Sequence, residues 1–257
     1  MKPLRPNLSP PGSDVIGPSS PVVRALMILR GFFSNDPSPD TVGDDAKTCG
    51  SLLANHLIRL LEGCGNLNAC GFHSAAVVLF RSLEDALDCF AAITMVPGAA
   101  SEWRSGTLKP SDAAKKWVHL MEAVTPNGVS LPEYRKRLRA AFAKYSHCSH
   151  DLCLWDLYFQ PNERDPNSSS VRGTIKVNFD YQVIDRNAHS IDAHLTGHLL
   201  EFIQVVRRAY TRALATELAQ LQLLAGLEDE IVDLMERHTK HRCQEVGLPP
   251  ELRRLKV

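Results

Sequence analysis

Residues 68–94 read NACGFHSAAVVLFRSLEDALDCFAAIT, and no other stretch restricts the fold as strongly. Phe72, Ala76, Leu79, Leu83, Leu87 and Phe90 recur at helical spacing and make one apolar stripe. Val77 and Val78 lie on the other side, so the upstream half is apolar nearly all round. Such a helix is stable only when other helices cover it, which places it at the centre of a bundle. Yet the same helix carries Arg81, Glu84, Asp85 and Asp88 on the face opposite the stripe. Either that face meets solvent or it meets polar side chains from neighbouring helices.

The flanking segments supply those neighbours. VVRALMILRGFF, after Pro21, predicts a first helix that the SNDPSPD cluster ends. Asp44 or Asp45 caps a second helix through SLLANHLIRLLEG, and GCGN at 63–66 is expected to break it. Pro110 precedes a short helix, SDAAKKWVHLMEAV, with Ser111 or Asp112 as its cap. Ser130 opens another, with Tyr134, Leu138, Ala141, Phe142 and Tyr145 on its apolar face. Leu199, Phe202, Ile203, Val206 and Tyr210 form the stripe of a helix that starts near His189. A last helix follows, with Gly226 as a break.

Between them the period changes from helical to alternating. CLWDLYF and TIKVNFDYQV predict two strands joined by a polar loop, an inserted β-hairpin at about 152–183. The expected fold is therefore mainly α, a bundle of about six to eight helices with that hairpin inserted. Residues 1–20 are rich in proline and serine and cannot bury enough apolar surface to order, so they are expected to form a disordered tail. The bundle occupies 21–245, and 246–257 form a basic C-terminal tail.

Composition excludes some functions. Twenty-nine basic residues balance twenty-nine acidic ones, so bulk electrostatic binding of nucleic acid is not expected. No stretch approaches the roughly 18 apolar residues of a membrane span, and the N-terminus lacks a signal-peptide core. A cytoplasmic location without a membrane partner is expected. The seven cysteines contain no C-x-x-C pair and read as buried apolar side chains rather than metal ligands or redox centres. No cofactor is implied, and no Gly-rich phosphate loop or G-x-S-x-G elbow occurs.

Three constellations could carry chemistry. The first is Arg81, Glu84, Asp85 and Asp88, where Arg81 can pair with Asp85 or Glu84. The second is YSHCSH: Ser146, His147 and His150 follow Arg135, Lys136, Arg137, Arg139 and Lys144. A helix-end histidine near neutrality can act as acid or base, and upstream basic residues can hold a phosphate. The third is His194, His198 and Glu201, within about 60° on one helix. It has the i,i+4 histidines of a zinc site, but the glutamate that should follow His194 is missing. It reads as the boundary of an apolar face, and no metal site is assigned.

The order of these features resembles an uncharacterised bacterial all-helical family with an R-x-x-E helix (Arg81, Glu84) and a later Y-S-H helix end (Tyr145, Ser146, His147). That family is distantly similar to HEPN-like helical bundles, and the resemblance covers roughly residues 45–215. It implies that Arg81, Glu84, Ser146 and His147 meet across neighbouring helices as a ligand-binding or register-fixing cluster. In the HEPN nucleases four to six residues separate an arginine from a histidine on one helix. Here seven residues separate Arg139 from His147, and five separate Lys144 from His150 with lysine in place of arginine, so neither pair matches. Two functions are therefore carried forward. One is a binding or interaction module with a polar cluster between helices. The other is a HEPN-like metal-independent endoribonuclease or toxin-type enzyme, with His147 as acid/base and Arg139 or Arg81 steadying a phosphate beside Glu84. RNA or protein are the candidate partners, and the apolar helices and hairpin edge offer surfaces for a homodimer.

Overall fold

The computed structural model describes residues 15, 17, 19–40, 44–121, 130–145, 152, 155, 157–161, 173–177, 183 and 185–244. Over these residues the chain forms a bundle of eight α-helices. They are α1 (Pro21–Ser34), α2 (Asp44–Ala69), α3 (His73–Met95), α4 (Ala99–Arg104), α5 (Pro110–Trp117), α6 (Leu131–Ala143), α7 (Asp185–Ala209) and α8 (Ala215–Gln244). A 3₁₀ turn, Val118–Leu120, extends α5. Two extended segments, β1 (Leu157–Pro161) and β2 (Gly173–Val177), pair antiparallel with Leu157 opposite Val177 and Pro161 opposite Gly173. The loop and flanking parts of the expected 152–183 hairpin lie outside the described residues. Among the described residues, no helix is long and apolar enough to cross a membrane.

Helix α3 is the central element. It packs against α2, α4, α5, α6 and α7, and every residue from Ala86 to Thr94 is buried. The half enclosed on all sides is thus the downstream one, which corrects the expectation from Val77 and Val78. Phe72, on the expected stripe, is 37% exposed because it precedes the helix instead of lying in it. Phe90 packs edge-on against Phe33 at 5.9 Å and Phe202 at 5.1 Å, joining α1, α3 and α7 in one aromatic core. The whole predicted stripe of α7, from Leu199 to Tyr210, is buried.

Several boundaries follow packing more than local sequence. GCGN does not break α2, which runs through Gly63 and Gly65 to Ala69. Two helical glycines cost about 1 kcal/mol each relative to alanine. Burial of Leu57, Ile58, Leu61 and Cys64 beside α3 opposes that cost. The break falls instead at Gly71, whose φ of 80° is a left-handed conformation. Its N–H donates to Asn68 O at 3.0 Å and the Phe72 N–H to Leu67 O at 2.9 Å, the paired bonds of a Schellman cap. α3 therefore starts at His73 and not at Asn68.

At α5 the cap position is Lys109, with Pro110 at the first helical position, so neither Ser111 nor Asp112 caps it. Gly226 does not break α8. Val15 and Ser20, assigned by composition to the tail, are buried against the bundle, and the Ser20 hydroxyl caps α1 at Val22 N (3.2 Å).

A buried ion-pair network as the candidate functional site

Leu131, Arg135, Leu138 and Phe142 lie on one stripe of α6, so an arginine occupies an inward position among apolar neighbours. Its guanidinium is 2% exposed and reaches three carboxylates on two other helices. Nη2 stands 2.7 Å from Glu84 Oε2 and 2.8 Å from Asp88 Oδ1, both on α3. Nη1 stands 2.9 Å from Glu201 Oε2 on α7. The Trp117 indole N–H donates to Asp88 Oδ1 at 3.0 Å, and its ring lies 5.8 Å from the Arg135 guanidinium carbon. Four helices thus converge on one arginine.

The network continues outward along α6. Arg139, one turn after Arg135, pairs with Asp88 Oδ2, with Asp85 Oδ1 at 3.2 Å, and donates to Pro110 O at 3.2 Å. Arg81 pairs with Asp85 Oδ2 at 3.2 Å. The predicted charged stripe of α3 is therefore split by burial. Glu84 and Asp88 are fully enclosed, while Arg81 and Asp85 sit at its partly exposed edge.

Glu84 also binds a histidine. His198 Nε2 hydrogen-bonds Glu84 Oε1, and His198 Nδ1 meets the His194 carbonyl at 2.6 Å. A carbonyl and a carboxylate only accept, so both ring nitrogens must donate and the ring is an imidazolium. Burial works against that charge, and Glu84, the His194 carbonyl and Glu201 together outweigh it, raising the pKa of His198. Burial alone would raise Glu84, but Arg135 and His198 hold its carboxyl below the usual range. The ring stacks on Phe80 at 5.3 Å and lies 5.8 Å from Phe142, which keeps water away.

Charge balance follows from these assignments. Arg81, Arg135 and Arg139 supply three positive charges against Glu84, Asp85, Asp88 and Glu201. The His198 imidazolium is the fourth. Glu201 is the member whose charge can change near neutrality. Burial raises its pKa to about 7 against the pull of Arg135, and Glu84 adds to the rise. Its Oε1 is buried with no hydrogen-bond partner among the described residues. Burial likewise raises Asp88 and Asp85.

Of the residues selected from sequence, Arg81, Glu84 and Arg139 all belong to this network. Arg81 does not pair with Glu84, though; its ion pair is with Asp85. Ser146, His147 and His150 lie outside the described residues. The histidine joined to Glu84 is His198, three residues before Glu201 on α7, so the proposed His194–His198–Glu201 stripe works as an ion-pair anchor. Both His198 nitrogens face protein oxygens, one on the His194 carbonyl and one on Glu84. Arg135 is among the basic residues expected to hold a phosphate, and its spacing from Leu131 and Leu138 is the sequence signal that it points inward.

Among the described residues, cavities lie elsewhere. One of about 550 Å³ is bounded by α1, α2 and Leu195, and one of about 350 Å³ by Asp40, Thr94 and Thr211. Neither is lined by Glu84, Asp88, Arg135 or His198. Comparison with protein-family models, curated proteins and solved structures gives no match.

Proposed function

We propose that this chain is a helical binding or interaction module in which the Arg135 network fixes how α6 sits on α3 and α7. The observation that carries this reading is Arg135 itself, buried and bonded to Glu84, Asp88 and Glu201. A phosphate-binding arginine must leave its donors free for the ligand. Here Arg135 and Arg139 are directed at protein carboxylates, and Arg81 turns its Nε to Asp85, leaving Nη1 without a hydrogen-bond partner among the described residues. The network is consistent with a register device, because an arginine fork accepts only one placement of several carboxylates. It holds Lys136 and Arg137 on the exposed side of α6 and Lys144 exposed just past its end, where a partner can reach them.

The alternative from the resemblance, a metal-independent endoribonuclease using His147, requires Arg139 or Arg81 to exchange carboxylate for phosphate. The purified chain, incubated with single-stranded and structured RNA without added metal, is expected to leave both intact. RNA cleavage lost in folded His147→Ala and Arg139→Ala variants would overturn the module reading.

A further inference from the structure

Helix α8 has a mismatch between its two faces. Leu221, Leu224, Leu227, Ile231 and Leu234 are buried against the bundle at the spacing of an ordinary amphipathic helix. The outward face of its first half is not polar. Leu218 and Leu223 are exposed by 43% and 59%, and Leu214, at the cap position just before the helix, by 72%, three of the seven large apolar side chains exposed among the described residues. Ala219, Gln222 and Gly226 fill the surface between them. The charge in this stretch is Glu217, which is buried and accepts from Leu214 N–H at 2.9 Å to cap the helix.

Charge returns at the two ends of this uncharged face with opposite signs. Arg208 and Arg212 are exposed just before α8, and Asp229 and Asp233 are exposed beyond Gly226. At about 100° per residue, Gln222, Asp229 and Asp233 point in nearly the same outward direction. Gly226 has nothing within 4 Å of where a Cβ would stand, so a second helix can approach closely there.

We infer that α8 is the interface of an antiparallel homodimer, with a two-fold axis near Gln222 and Leu223. That arrangement sets Ala219 beside Gly226 of the other copy and covers the exposed leucines. It also brings the turn that carries Arg212 in each copy, three residues before α8, to the level of Asp233 of the other. A parallel pairing would place like charges together at both ends, which disfavours it. The two-fold symmetry makes each contact occur twice. The inference rests on the interaction-module reading and names its partner. RNA cleavage would sink that reading, whereas a monomeric chain sinks the dimer alone.

Sedimentation equilibrium of the full chain tests it. The wild type is expected at twice the 28.5 kDa chain mass at micromolar concentration. Leu218→Glu and Leu223→Glu are expected at the single mass with unchanged helical circular dichroism. Arg212→Glu should weaken the dimer about tenfold or more, and adding Asp233→Arg should restore it. A wild type that remains monomeric at about 100 µM overturns the proposal. So does a dimer indifferent to both leucine substitutions.

Discussion

His198 and Glu84, 114 positions apart, are hydrogen-bonded across the interior between α7 and α3. Glu84 also faces Arg135, so one carboxylate joins three helices. Its partners are nearly or fully enclosed, which makes the network costly to break at any single member.

Arg135→Met keeps length and apolar stem but leaves Glu84, Asp88 and Glu201 without their shared cation. The expected loss is about 3 to 5 kcal/mol in chemical denaturation, typical of an orphaned buried charge. Arg139→Met, at the partly exposed edge, should cost less than half as much. Equal losses for the two arginines would contradict the central place of Arg135.

Stability should be highest under mildly acidic conditions. Glu201 has its pKa raised to about 7, so the fold favours its protonated form. That contribution is complete below the ordinary glutamate range and is lost as pH rises through about 7. His198 is also raised, so its contribution is complete below the ordinary histidine pKa and is lost at higher pH. Glu84 is lowered and acts in the other sense, its contribution disappearing as pH falls below the ordinary glutamate range. Buried His73, lowered to about 4, acts in the same sense as Glu84, its contribution disappearing as pH falls from the ordinary histidine value through about 4. Melting temperature measured from pH 4 to 9 should therefore be highest under mildly acidic conditions and decline toward 8. Glu201→Gln should flatten the decline. A Tm that climbs steadily to pH 8 would refute the assignment.

Glycines in and after α2 should respond oppositely to alanine. At Gly63 an added Cβ makes ordinary contact with Leu79 Cδ1 at 3.7 Å, so Gly63→Ala should stabilise by about 0.5 to 1 kcal/mol. At Gly71 the positive φ penalises any side chain, so Gly71→Ala should destabilise by about 1 kcal/mol or more. Urea denaturation of both variants, measured side by side, separates helix interior from helix cap.

Periodicity alone was enough to place most helices, the central role of the helix expected over 68–94 and the buried stripe from Leu199 to Tyr210. These are local properties: an apolar side chain every three or four residues needs burial whatever the rest of the chain does. The charged residues of α3 were visible as candidates for the same reason. Their partners were not. Arg135 reaches Asp88 across 47 positions and Glu201 across 66, and those pairings exist only once the helices have docked. Burial then decides the chemistry, turning a surface-like stripe into a closed set of charges with Glu201 titrating near neutrality. The extent of α2 was also a tertiary outcome. Its glycines carry a local penalty at 63 and 65, and packing against α3 outweighs it until the left-handed turn at Gly71.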